Sequence, residues 1–208
     1  MDEWVANNAP VRLVYCLMQL GEADSAISLG EQQLLRFQSV EPYPIDEEFE
    51  LKAILANLYS GRGEFTRAIA LTADKPPRGD DGARLARWGW SRSVVLFLAG
   101  MLDEALECGR RAAAEIDQNA HPFLASGIRD NNDWIRCVKG EAFTDEEMAG
   151  LVERAATARL LRQTTSLMEI ELITAFALAN RDEHDKARLA VTRLLDDSEL
   201  SGPGMVRA

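Results

Sequence analysis

The sequence predicts an all-α protein, an α-solenoid of about five antiparallel helical hairpins. Three observations carry this expectation. Apolar residues recur at helical spacing along nearly the whole chain, and no run shows sustained strand alternation with hairpin turns. A glycine or aspartate stands five residues before an alanine at four places: Gly21 with Ala26, Gly63 with Ala68, Gly100 with Ala105, and Asp182 with Ala187. Those alanines lie 42, 37 and 82 residues apart, the last close to two periods, and a period near 40 residues is that of stacked helical hairpins.

The first hairpin begins at Pro10. Val11, Val14, Tyr15 and Met18 follow i, i+3, i+4, i+7 spacing, and Leu13, Leu17 and Leu20 widen the stripe, which gives a helix with a broad buried face. Gly21 ends it, because glycine enters the left-handed cap conformation without a Cβ penalty. Asp24 or Ser25 then caps a second helix to about Phe37, with Ala26, Ile27, Leu34 and Leu35 facing back. Pro42 and Pro44 make residues 40–46 a loop.

The second hairpin runs through Leu51, Ile54, Leu55, Leu58 and Tyr59, turns at Gly61 and Gly63, and returns as a short helix. That helix is cut off by the proline- and glycine-rich residues 74–82. The third pair spans residues 83–99 and 102–116 around Gly100. In the fourth, Leu124, Ile128, Trp134, Ile135 and Val138 mark a helix over 123–138, weakened by the polar run Arg129 to Asp133. Thr144 with Glu147 forms a capping box that opens its partner, which carries Met148, Leu151, Val152, Ala155 and Ala156. The fifth covers 167–179 and 184–195, and residues 198–208 are expected to be a flexible tail to a single solenoid domain of residues 1–197.

The alanine of each unit belongs where two antiparallel helices approach most closely and no larger side chain fits. The first helix supplies a second small residue seven positions before the turn: Ala56, Ser93 and Ala175, with Val14 the larger exception. On GEADSAI, GEFTRAI, GMLDEAL and the looser DEHDKAR, the sequence resembles the tetratricopeptide repeat (TPR) family over roughly residues 10–196. The period is longer than that family's, and no proline recurs after each second helix. The longer period is similar to the degenerate repeats of bacterial sensor solenoids in signalling and transcriptional regulators. The resemblance implies a right-handed superhelix and a non-catalytic interaction module that binds a peptide or protein segment in its concave groove. The alternative it implies is a regulatory sensor that binds a small molecule or signal peptide.

Composition narrows the partners. With 34 acidic against 23 basic side chains and a formal net charge of −11, direct nucleic-acid binding and anionic membrane surfaces are disfavoured. The longest apolar run, Val94 to Leu102, is about half of the ~20 residues a bilayer span needs, and the acidic start MDEWVANNAP lacks a secretory signal. Three scattered cysteines, each inside an apolar helical pattern, suit a reducing cytoplasm, and Cys108 is expected to be a buried structural cysteine despite Arg110 and Arg111 close by.

No cofactor or metal is expected. GRGE at residues 61–64 lacks the lysine and spacing of a phosphate loop, and His121 and His184 have no Cys or carboxylate at ligand spacing. The acidic runs at residues 46–48, 80–81 and 145–147 precede helices, where carboxylates stabilise the N-terminal dipole. No sequence context for an activated nucleophile is present.

One stretch has the composition of a recognition surface: Arg84 to Arg92, RLARWGWSR, with three arginines and two tryptophans. Arg and Trp are enriched at binding hot spots. Arg84, Arg87 and Trp88 share one helical face, and Trp90 lies three past Arg87. In the resembled family the first helix of each hairpin lines the groove, which implies groove positions for Arg84, Arg87, Trp90, Val94 and Phe97. Neighbouring units add Tyr15, Met18, Gln19, Asn57, Leu172 and Phe176. The competing reading places one or both tryptophans in the core and leaves the arginines solvated or paired with the carboxylates of residues 74–81. The last helix keeps Ala187, Ala190, Val191, Leu194 and Leu195 without a polar cap, so self-association or continuation of the array is also expected.

Overall fold

A computed structural model describes residues 3–41, 43–74 and 82–196, and these contain ten α-helices and no strand. The helices are α1 (Glu3–Gln19), α2 (Ala23–Phe37), α3 (Ile45–Gly61), α4 (Phe65–Leu71), α5 (Gly82–Leu98), α6 (Leu102–Glu115), α7 (Pro122–Val138), α8 (Asp145–Leu160), α9 (Thr164–Asn180) and α10 (His184–Asp196). The chain forms two compact units, Met1–Ile128 and Arg129–Ala208, with α7 contributing to each. Pro42, most of the predicted loop before Gly82 with its Asp80–Asp81 pair, and the predicted tail lie outside the described residues.

Two expectations about helix starts are corrected. α1 begins at Glu3, with Pro10 inside it, because a proline removes one hydrogen bond without forbidding helical backbone upstream. The N-cap of α2 is Glu22, without a side-chain bond, and Asp24 sits in the first turn. Leu35, expected to face α1, is mostly exposed.

The turns follow the repeat frame. Gly21, Gly63 and Gly100 have φ of 78°, 76° and 79°, and Asp182, in the glycine position of the fifth unit, has φ 60°. The same conformation occurs at Gly140 (76°) and at Arg162 (55°), in the α8–α9 connection. Each closes a Schellman motif. At Gly100, for example, its N–H donates to the Phe97 carbonyl at 2.9 Å and the Met101 N–H to Leu96 at 2.9 Å. A side chain here costs about 1–2 kcal/mol of steric strain, partly offset by the greater unfolded-state freedom of glycine. Gly100→Ala is therefore expected to lower stability by about 1 kcal/mol and Arg162→Gly to raise it by about 0.5–1 kcal/mol, read from urea unfolding midpoints. Opposite signs would show that the caps are not limited by Cβ sterics.

Small residues sit where the hairpins close. Ala26, Ala68 and Ala105 are fully buried and Ala187 nearly so, and Ala56, Ser93 and Ala175 of the first helices are buried too. At the α5–α6 crossing the Ser93 hydroxyl donates to the Ala105 carbonyl at 2.7 Å. Gly89 brings the same helices together: a Cβ there would stand 3.0 Å from the Ala112 Cβ. In the first unit, one core gathers Val11, Val14, Phe37, Leu51 and Leu55, and a second joins Ala86, Ala112, Ile116 and Ile128. The second unit packs Phe143, Leu151, Leu167, Ile170 and Ile173 around Cys137.

Charges tie the helices of the second unit. Thr144 and Glu147 form the predicted capping box, and Glu147 also accepts from Arg136 Nη1 at 2.8 Å. These bonds, with that to Arg136 foremost, hold the Glu147 carboxyl down to about 2. A depressed folded-state pKa gives stability that is present above the ordinary carboxyl value of 4.5 and lost as pH falls through about 2. Glu147→Gln is expected to flatten the loss of thermal stability between pH 5 and pH 2. An unchanged pH profile would show that this carboxylate does not carry the effect.

Candidate functional site

The first helices of three successive hairpins, α1, α3 and α5, enclose a cavity of about 540 Å³ within the first unit. Helical spacing decides which residues reach it. From α3 come Asp46, Phe49, Glu50, Ala53 and Asn57, one face read at steps of three and four; α1 supplies Arg12, Tyr15 and Met18. α5 supplies Arg84, Arg87, Trp88, Trp90 and Ser91, and Leu71, Thr72 and His121 complete the wall.

Five of the eight predicted groove residues therefore meet around one space: Tyr15, Asn57, Arg84, Arg87 and Trp90. Met18 joins them and Gln19 does not. Val94 and Phe97 are half-buried farther along α5 and do not line the cavity. Phe176 belongs to the second unit, where its ring meets Trp134 edge to face at a centroid distance of 5.3 Å, with Leu172 half-buried on the same helix. Both tryptophans of RLARWGWSR are half-buried cavity residues, and Trp90 also packs beside Gly127, where a Cβ would stand 3.1 Å from its ring. Sequence reasoning missed Arg12, Phe49, Ala53 and His121. The α3 residues among these were within reach, because they share a helical stripe with Asn57.

Most of the cavity's charge is internally paired. Arg12 meets Glu50 at 3.2 Å, Arg84 meets Asp46 at 2.8 Å, and Lys52 meets Glu48 at 2.9 Å while lying 5.7 Å from the Phe49 ring centre. Asp46 and Glu50, one turn apart on α3, thus reach in opposite directions, to α5 and α1. Arg87 is exposed and has no carboxylate partner among the described residues. Two polar atoms on lining residues also lack a hydrogen-bond partner among the described residues: the Asn57 amide oxygen and the Trp90 indole nitrogen.

The largest titration shifts lie away from this cavity. Burial, reinforced by a bond to Glu31, pushes the Tyr59 hydroxyl up to about 12, and burial pushes the Cys137 thiol up to about 12. Cys137 is thus an inert core thiol. Cys108, expected to be buried, is half-buried, and Arg111 is engaged by Glu107 at 2.8 Å; Cys16 is exposed. Among the described residues no group of three or more His, Cys, Asp or Glu side chains is arranged to hold a metal ion, and no helix is long and apolar enough to cross a membrane.

Helical hairpins with left-handed turns and small residues at the crossings define a TPR-like helical-repeat fold. The sequence matches no protein-family model and no curated protein sequence. Its fold is similar to two crystal structures of the nearly identical TPR-like repeats of a candidate kinesin light chain from Podosopora anserina, one of them a point variant. Both are 17% identical to this chain, cover 94% of it and 96% of their own length, and superpose with TM-scores of 0.66 and 0.65.

Proposed function

We propose that the chain is a non-catalytic interaction module that holds a segment of a partner protein against α1, α3 and α5. TPR-like repeat folds generally serve as protein-interaction scaffolds, and the convergence of Tyr15, Asn57, Arg84, Arg87 and Trp90 on one cavity is the observation that carries the reading here. Trp90 and its neighbours supply a rigid apolar contact, and Arg87 supplies a guanidinium with no carboxylate partner among the described residues, the pairing of residue types that dominates interface energies. Val94 and Phe97 extend the contact along α5, and Phe176 offers a separate one in the second unit. An acidic or aromatic-containing segment is the complementary partner.

The test is a pull-down with the full chain, followed by mass spectrometry, comparing wild type with Arg87→Ala, Trp90→Ala. A hot-spot loss of about 2 kcal/mol corresponds to ~30-fold weaker capture, and two of them together to ~10³-fold. Unchanged recovery of the same proteins, with helicity intact by circular dichroism, overturns the assignment of the site.

A further inference from the structure

The cavity's charge is opposite to that of the chain. Four cationic side chains, Arg12, Lys52, Arg84 and Arg87, line it against two carboxylates, Asp46 and Glu50, in a protein of formal net charge −11. Three of the four cations are engaged by α3 carboxylates; among the described residues Arg87 alone of the four has none. The walls are flat and apolar, with Tyr15, Phe49, Trp88 and Trp90 contributed by three helices.

At about 540 Å³ the space lies within the roughly 300–1,000 Å³ of small-molecule sites.

We propose that this cavity binds an aromatic organic anion: a flat ring between the aromatic walls and an anionic group at Arg87. The inference rests on reading this same cavity as the contact site, and it names the chemistry that enters. That chemistry has two sources, a free aromatic acid or an aromatic and acidic side-chain pair within the partner segment.

Isothermal titration of the full chain separates them. The probes are indole-3-acetate, tryptamine as the same ring with a cation in place of the anion, and a capped five-residue peptide carrying one tryptophan and one aspartate. Indole-3-acetate or the peptide is expected to bind, at least tenfold more weakly to Arg87→Glu and with most of the affinity kept in Arg87→Lys; tryptamine is expected to bind at least tenfold more weakly than the acid. Arg87 is exposed, so both variants are expected to fold, as circular dichroism would verify. Tighter binding of the free acid assigns the site to a small molecule, and tighter binding of the peptide assigns it to the partner; both support the proposal. Equal binding of tryptamine and the acid, indifference to Arg87→Glu, or binding of neither acid nor peptide overturns it. If capture depends on Arg87 and Trp90 while neither anionic probe binds, this inference falls and the interaction module stands. Probe binding with capture unaffected gives the reverse.

Discussion

Replacing Arg154 by alanine is expected to destabilise the protein by about 3–5 kcal/mol, the range for removing one partner of a buried ion pair. Arg154 reaches from α8 to two carboxylates of α7, donating from Nη1 to Asp130 at 2.7 Å and from Nη2 to Asp133 at 2.5 Å. Its side chain is 16% exposed and that of Asp130 only 7%, so water cannot replace the lost guanidinium at Asp130. Asp133 also faces Arg136 at 3.7 Å, and Arg136 continues to Glu141 and Glu147, so the loss is not confined to one bond. Arg154→Lys should recover only part of the stability, because an ammonium cannot span both carboxylates as the planar fork does. The measurement is the urea midpoint of the two variants against wild type. A loss under about 1 kcal/mol for Arg154→Ala would mean that the pair is solvated in solution and contributes as a surface pair does.

Leu55→Ala should cost about 2–5 kcal/mol, the transfer of a buried side chain plus the cavity it leaves. Leu55 is fully buried in the core of the first unit, and it occupies the space that Gly30 of α2 leaves open. A Cβ on Gly30 would stand 2.7 Å from Leu55 Cδ2. The two positions should therefore couple. With the leucine truncated, Gly30→Ala fills part of the void and gains up to ~1 kcal/mol of helix propensity, whereas in the wild type it presses on Leu55. A double-mutant cycle reads this directly. If Gly30→Ala has the same effect in both backgrounds, the contact does not govern the packing.

The positions that were legible in the sequence are those whose constraint is local. Gly21, Gly63 and Gly100 mark turns because only a residue without a Cβ enters that conformation freely, and even Asp182 could be placed by its frame. Ala26, Ala68 and Ala105 mark helix crossings because their size alone sets the approach. The helix expected over 123–138 is continuous from Pro122 to Val138, with the polar run Arg129 to Asp133 inside it. Asp130 and Asp133 share a face three residues apart, but what turns that face inward is Arg154, more than twenty residues away.

The candidate site divides in the same way. The order of residues was enough to give the helical hairpins, their turns, and the choice of α5 as the helix carrying an unusual density of Arg and Trp. It could not decide between core and groove for Trp88 and Trp90, nor which arginine keeps its charge unpaired. Those outcomes depend on side chains of α1 and α3 arriving beside α5: Glu50 taking Arg12, Asp46 taking Arg84, and Arg87 meeting no carboxylate among the described residues. A turn is fixed by the backbone sterics of one residue, whereas pairing and enclosure depend on distances between segments some 30–40 residues apart, which only the packed tertiary structure sets.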